Sequence, residues 1–270
     1  MISEAYIDKY QNGMINAQKD LIIQERRMEL FVNGKHYIYI MCLAQNLIEL
    51  AVGFLFSEGL IGSFADVVNI ESNGEGEVYV TLHKALLKEQ ISQTKQRMLV
   101  SGFGRASFKA PFIIGDNLQE VKSGLRIQAN DIIKTVADFN RRSKLFSQTG
   151  AVHSSLLRLP AGIELFFEDI GRHNTVDKII GQALISGLPV EESMLITSGR
   201  ISSEMIVKAA ALAIPAVISV SAPTDMAVSI AQKTNITLIG FARDTRFSVF
   251  AGKNRIECAN YPFANRALKN

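Results

Sequence analysis

The chain has 270 residues, 47% of them hydrophobic and 20% charged, with a dispersed net charge of +3 at pH 7. That is enough apolar material for one large or two modest domains. It shows neither the basic–aromatic interleaving of single-strand binders nor an apolar run of the roughly 20 residues that a membrane span needs, so neither nucleic acid nor membrane is an expected partner. Two cysteines cannot build a disulfide framework, and the polar stretch 1–9 lacks the apolar core of a signal peptide; a reducing, cytoplasmic location is expected.

In chain order, residues 28–32 and 37–41 read as strands flanking Asn33-Gly34, a hairpin turn signal. A helix follows in which Leu47, Leu50, Ala51, Phe54 and Leu55 form one apolar stripe closed by Gly59. Residues 78–82 are a further strand. Together these predict a small α+β lobe over residues 1–120. That lobe also holds Val100-Ser101-Gly102-Phe103-Gly104, where two glycines around one large side chain predict a weakly packed loop. Lys84, Lys88, Lys95, Arg97, Arg105 and Lys109 give this region a basic bias, which fits either steering of an anionic partner or an ordinary solvated face. Gly115-Asp116-Asn117 opens a polar stretch. A second lobe, residues 121–270, is predicted to begin with a helix from about Asp131 to Lys144 with Ile132, Ile133, Val136 and Phe139 inward.

The second lobe carries the polar chemistry. Residues 164–167 read as a buried strand, and Val176, Ile179, Ile180, Ala183 and Leu184 fall on one helical face. Between them lies Glu168-Asp169-Ile170-Gly171-Arg172-His173-Asn174-Thr175, at a strand-to-helix turn whose free N–H groups and helix dipole favour an anion. A plainer reading has Asn174 capping the helix, Asp177 complementing its dipole, and Arg172 and His173 facing water. The arrangement recurs twice. Residues 194–197 form a strand, Ser198-Gly199-Arg200 a turn, and 201–213 a helix with Glu204 and Lys208 at i,i+4. Then 216–220 form a strand, residues 221–224 a turn, 225–233 a helix, and 236–240 a last strand. This alternation predicts a parallel sheet with loops gathered at the carboxyl ends of its strands. Into that crevice would point Arg172, His173, Ser198, Arg200, Ser221, Thr224 and the run Arg243-Asp244-Thr245-Arg246, a set suited to a phosphate-bearing ligand. His153 is expected near the same crevice, whereas His36 and His83 read as surface or hairpin residues.

Several of these segments are similar to a known family. Residues 168–178, Ser198-Gly199-Arg200 with Glu204-Met205, Val220-Ser221-Ala222-Pro223-Thr224 and Gly240-Phe241-Ala242-Arg243 resemble the formate dehydrogenase accessory protein family, FdhD. So do Val32-Asn33-Gly34, residues 50–60 and Thr149-Gly150-Ala151-Val152-His153, in order, from about Glu25 to Phe250. The resemblance implies a C-terminal three-layer lobe with a mostly parallel sheet, similar to cytidine deaminases, and a homodimer. It implies a sulfur carrier that receives sulfur from a cysteine desulfurase. The recipient would be the molybdenum bis(molybdopterin guanine dinucleotide) cofactor, held as bound cargo before its insertion into formate dehydrogenase. It also implies that Phe241, Ala242, Arg243, Asp244, Thr245 and Arg246 contact the guanine dinucleotide. The chemistry is apt, since guanidinium forks grip phosphate while Asp244 can accept from a guanine edge or a ribose hydroxyl, although a surface turn is the plainer reading.

One feature departs from the family. Where it carries a Cys-x-x-Cys loop, this chain reads Val100-Ser101-Gly102-Phe103-Gly104-Arg105-Ala106-Ser107, with Ser101 near the first cysteine's place. A hydroxyl cannot hold a persulfide, so sulfur transfer through this loop is excluded and sulfurtransferase activity is left open. Cys42 reads as a small core hydrophobe and Cys258 as a tail thiol near Lys253 and Arg255. Neither stands in a metal-ligand spacing, and the H-x-E and P-C-x-x-C motifs of zinc deaminases are absent, so no catalytic metal is expected. The alternative class is an enzyme acting on a nucleotide or pterin with His173, Glu204 or Asp169 as acid/base, for which no nucleophile stands beside a base.

Overall fold

The computed structural model describes residues 1–83, 97–99, 107–109 and 118–258. The chain opens with β1 (Ile2–Gln11) and β2 (Met14–Ile23), an antiparallel ribbon turned by Asn12 and Gly13 at φ 55° and 83°. The mixed charge of its start masks this hairpin in the sequence, although Asn-Gly is the same turn signal that the sequence offers at Asn33-Gly34, where φ is 48° and 75°. That second turn joins β3 (Arg26–Val32) to β4 (Lys35–Cys42); then come α1 (Leu47–Ser57), β5 (Val67–Ser72) and β6 (Glu77–Leu82). The four strands order as β4-β3-β6-β5, with β3 and β6 parallel. Met28, Leu30, Val32, Val78, Val80 and Leu82 alternate onto the face that packs against α1. β7 (Arg97–Leu99) and β8 (Ser107–Lys109) pair antiparallel; Ser101, between them, lies outside the described residues.

The second half begins with β9 (Ile127–Gln128), α2 (Ala129–Arg142) and α3 (Lys144–Thr149). One helix was expected to about Lys144, but Ser143 breaks it by accepting a hydrogen bond from Phe146 N and capping the short α3. Next come β10 (His153–Arg158), β11 (Glu164–Asp169), α4 (Arg172–Ile185), β12 (Met194–Thr197), α5 (Ser203–Ala211), β13 (Ala216–Ser219) and α6 (Asp225–Lys233). The chain then runs through β14 (Thr237–Arg243), β15 (Arg246–Ala251) and β16 (Ile256–Glu257), the last paired with β9.

Six strands order as β11-β10-β12-β13-β14-β15. β11, β12, β13 and β14 run the same way, but β10 lies antiparallel between β11 and β12, and β15 closes the far edge antiparallel. The expected parallel sheet is therefore a mixed one. The alternation of buried side chains explains its layers. Leu157, Leu195, Val217 and Leu238 face α4, α5 and α6, while Leu156, Ile196, Ile218 and Ile239 face α2. β11, read as fully buried, is an edge strand whose residues 164–168 are only half-covered.

Helix α1 is buried nearly all round, not along one stripe, because the four-stranded sheet covers one side and α4 the other. The α1–α4 approach is set by two glycines. A Cβ on Gly53 would stand 1.8 Å from Asp177 O, and one on Gly181 1.9 Å from Glu49 O, so the two backbones touch. Only glycine permits that separation.

Candidate functional site at the carboxyl ends of the sheet

Because β11, β12, β13 and β14 point the same way, the turns that follow them share one rim of the sheet. Backbone hydrogen bonds stitch the turns after β12 and β13 to each other and to the adjoining ends of β10 and β14. Ser198 N donates to Ser154 O (3.0 Å), Ile201 N to Ala222 O (3.1 Å), Thr224 N to Ile201 O (3.0 Å) and Phe241 N to Ser221 O (2.9 Å). The rim is a pre-formed platform.

Its first turn is held by Asp169. One carboxylate oxygen accepts from Gly171 N (3.1 Å) and Asn174 Nδ2 (2.8 Å); the other accepts from Leu43 N (3.2 Å) and lies 2.7 Å from Lys178 Nζ. Both members of that ion pair are fully buried. A carboxylate with four donors is an anchor, not an acid/base, which corrects one role considered for Asp169. Asn174 does not cap α4; its amide also donates to Met41 O (2.8 Å), and the cap position belongs to Gly171. Asp177 does not complement the dipole at the surface either. It is buried, accepting from Ser57 Oγ and Lys208 Nζ, both at 2.6 Å. Lys208, expected to pair with Glu204 four residues earlier, thus reaches Asp177 across to α4.

Arg172 and His173 form the first turn of α4, and neither extends into bulk water. Arg172 lies over Gly199, where a Cβ would meet its Cβ at 2.9 Å and its Cδ at 3.0 Å. Burial and the neighbouring Arg200 pull its guanidinium below the ordinary value. Arg200 itself is exposed. Two guanidiniums beside the amino end of a 14-residue helix make a field that favours an anion. His153 Nδ1 lies 3.1 Å from Ser198 Oγ, which also accepts from Ser154 N (3.0 Å). His173 Nδ1 lies 3.5 Å from Glu204 Oε2. Burial, then Lys208, Arg172 and His153, push His173 down to about 3, and burial followed by Arg172 lowers His153, so both imidazoles are neutral at pH 7. Burial raises Glu204.

The far end of the rim differs from expectation. The last predicted strand does not stop at Gly240 but continues to Arg243 and folds back into β15, so residues 241–246 form a β-hairpin tip. Phe241 and Asp244, at φ 54° and 50°, make the bulge and the turn. Gly240 is there for space, since a Cβ would lie 2.9 Å from the Pro223 ring and 3.0 Å from that of Phe250. Phe241, Arg243, Asp244, Thr245 and Arg246 are exposed, whereas Ala242 is buried against the α2 side of the core. A pocket is lined by Phe241, Arg243, Arg246, Phe247 and Ser248. Ser221 is half-buried, and Thr224 caps α6 by accepting from Ala227 N (3.3 Å).

The model of the FdhD/NarQ family matches residues 23–257. The sulfur carrier protein FdhD of Bacillus licheniformis is 34% identical over 255 residues, covering 93% of this chain and 95% of that protein. That of Bacillus subtilis is 33% identical over 252 residues, 92% and 95%. The chain belongs to the FdhD/NarQ family. A crystal structure from Desulfotalea psychrophila, described as a formate dehydrogenase accessory protein, shares its fold with a TM-score of 0.75 at 22% identity, over 95% of this chain and 99% of that one. For a member of a sulfur-carrier family the thiols are informative. Cys42 is buried, and burial, reinforced by Asp169, pushes its thiol up to about 12, so it offers no thiolate. Cys258, just after β16, is exposed. Among the described residues no group of three His, Cys, Asp or Glu could hold a metal ion, and no helix is long and apolar enough to cross a membrane.

The sequence reading missed three things at this site: the Glu204–His173 contact, the His153–Ser198 contact and the Lys178–Asp169 pair. A signal existed for two of them. Glu204 is followed by Met205-Ile206-Val207, and Lys178 sits between Val176 and Ile179-Ile180, so each charge falls among residues bound for the core.

Proposed function

We propose that this FdhD/NarQ-family protein is a cytoplasmic, homodimeric accessory factor of formate dehydrogenase that binds the molybdenum bis(molybdopterin guanine dinucleotide) cofactor as cargo on the rim. Arg172 and Arg200 beside the amino end of α4 would take phosphate, and the Arg243–Arg246 hairpin with its pocket would take the guanine nucleotide end. The observation that carries this is the rim itself: four cationic side chains at the carboxyl ends of the sheet, where the turns after β12 and β13 are already bonded to each other and to the end of β14, which lowers the ordering cost of binding. Sulfur delivered by a cysteine desulfurase would have to reside on Cys258, since Ser101 and the buried Cys42 are chemically unable to carry it.

Calorimetric titration with GDP tests the reading. GDP should bind the folded wild type, and Arg243→Ala with Arg246→Ala should weaken binding by about 1.5–3 kcal/mol for each charged hydrogen bond lost. Absence of binding, or equal affinity in the double variant, would reject the site. Mass spectrometry after incubation with a cysteine desulfurase and cysteine reports separately whether Cys258 gains a sulfur atom.

A further inference from the structure

Glu204 is the polar residue of the rim that cargo binding leaves without a task. It is 4% exposed, in the first turn of α5. One of its oxygens, Oε1, is buried without a hydrogen-bond partner, as is Oγ of Ser202 at the N-cap two residues earlier; the other, Oε2, faces His173 Nδ1. Holding a carboxylate out of water with an unpaired oxygen costs stability. It is offset where the charge fixes a neighbouring group.

We infer that Glu204 is a positioning residue: its carboxylate holds His173 with Nδ1–H inward, so that the Nε2 lone pair is presented at the rim as an acceptor for a ring N–H or amine of the bound cargo. This rests on the reading of the rim as a cargo site. The 3.5 Å separation is long for a hydrogen bond and is of the kind that tightens on ligand binding. The ring is surrounded by Arg172 on its own helix, Lys208 and Glu204 on α5, and His153 on β10. Three of these oppose an imidazolium, leaving the neutral ring whose tautomer Glu204 would set. With Nδ1 committed to Glu204, about a quarter of the side chain remains exposed, in the first turn of α4 beside Arg172, and Nε2 is the ring nitrogen left for a ligand. A neutral acceptor between cations suits a ligand that is anionic at one end and carries N–H donors at the other. Guanine and pterin both qualify, sharing a 2-amino-4-oxopyrimidine edge.

The experiment uses the full chain with nitrogen-labelled histidine and long-range proton–nitrogen spectra, where each of the four histidines gives its own pattern. His173, assigned by its disappearance in His173→Gln, should show the Nδ1–H tautomer at pH 7. An Nε2–H tautomer or an imidazolium there would overturn the inference. Glu204→Leu, which removes the acceptor that a Gln amide would keep, should abolish the preference and leave the other three patterns in place; an unchanged tautomer in the folded variant would equally overturn it. Should that variant fail to fold, the wild-type spectrum decides. GDP and 6-hydroxymethylpterin then distinguish the two sources of the edge. The one recognised should move the Nε2 resonance, and His173→Ala should weaken that ligand about fivefold. Binding of either without movement of Nε2 overturns the acceptor role while sparing the cargo reading. Binding of neither overturns the cargo reading and the acceptor role, whatever the tautomer.

Discussion

Replacing Gly181 by alanine probes the closest approach in the molecule. In a solvent-facing helix this change would stabilise by about 1 kcal/mol through helix propensity. Here the new Cβ would lie 1.9 Å from Glu49 O, 2.7 Å from the adjoining carbon and 2.9 Å from Gly53 N, all backbone atoms of α1 that cannot rotate away. To reach ordinary contact, α1 and α4 must part by about 1.5 Å at the crossing. A radial gap of only 0.5–1 Å already forfeits roughly a quarter to a half of each dispersion contact. Leu184 and Ile185 from α4 and Phe56 from α1 lie in that interface, and Ser57 would also be drawn from Asp177. Overpacking of this sort typically costs about 1–3 kcal/mol, and a strained buried hydrogen bond adds about 1 kcal/mol. Net of the propensity gain, Gly181→Ala should destabilise by about 1–3 kcal/mol. Urea unfolding followed by circular dichroism measures it: the midpoint should fall with an unchanged slope. A midpoint that stays or rises would refute the backbone contact.

Two further outcomes follow from titration and burial. His173 is held well below its unfolded-state value, so between about pH 6.5 and about 3 the unfolded chain takes up a proton that the folded chain refuses. Stability contributed by the neutral ring is present above pH 6.5 and lost on acidification through that window, at about 1.4 kcal/mol per pH unit. His173→Gln should remove that one-proton slope in denaturant titrations at stepped pH, and an identical slope in the variant would contradict the burial argument. Ellman's reagent should count one thiol, Cys258, in the native protein and two in guanidinium; rapid native reaction of Cys42 would show that its burial is not maintained.

The elements that the sequence disclosed were those whose signal is local. Asn33-Gly34 names its turn, Gly59 names the end of α1, and the spacing of Ile132, Val136 and Phe139 names the inner face of α2. The turn bearing Arg172 and His173 was legible because a strand and an amphipathic helix bracket it. What stayed hidden depends on pairing at a distance. Nothing in residues 153–158 says that this strand inserts between two others running the opposite way. Nothing in Gly53 or Gly181 taken singly says that the two meet, and the periodicity that gave α1 one apolar stripe could not reveal a second helix on its other side. Asp169 looked reactive because its four donors arrive from residues 2, 5, 9 and 126 positions away.

The burial of α1 on both sides has a consequence for biogenesis. The chain emerges from the ribosome amino end first, so α1, complete at Ser57, is available to pack on its own sheet early. Its glycine-lined flank has no partner until α4 is complete at Ile185, 128 residues later. At ~5–20 residues per second that interval lasts roughly 6–25 seconds. For its duration the flank of α1 that α4 covers in the folded protein is open to chaperone holdases, which bind chains whose apolar surface is not yet buried.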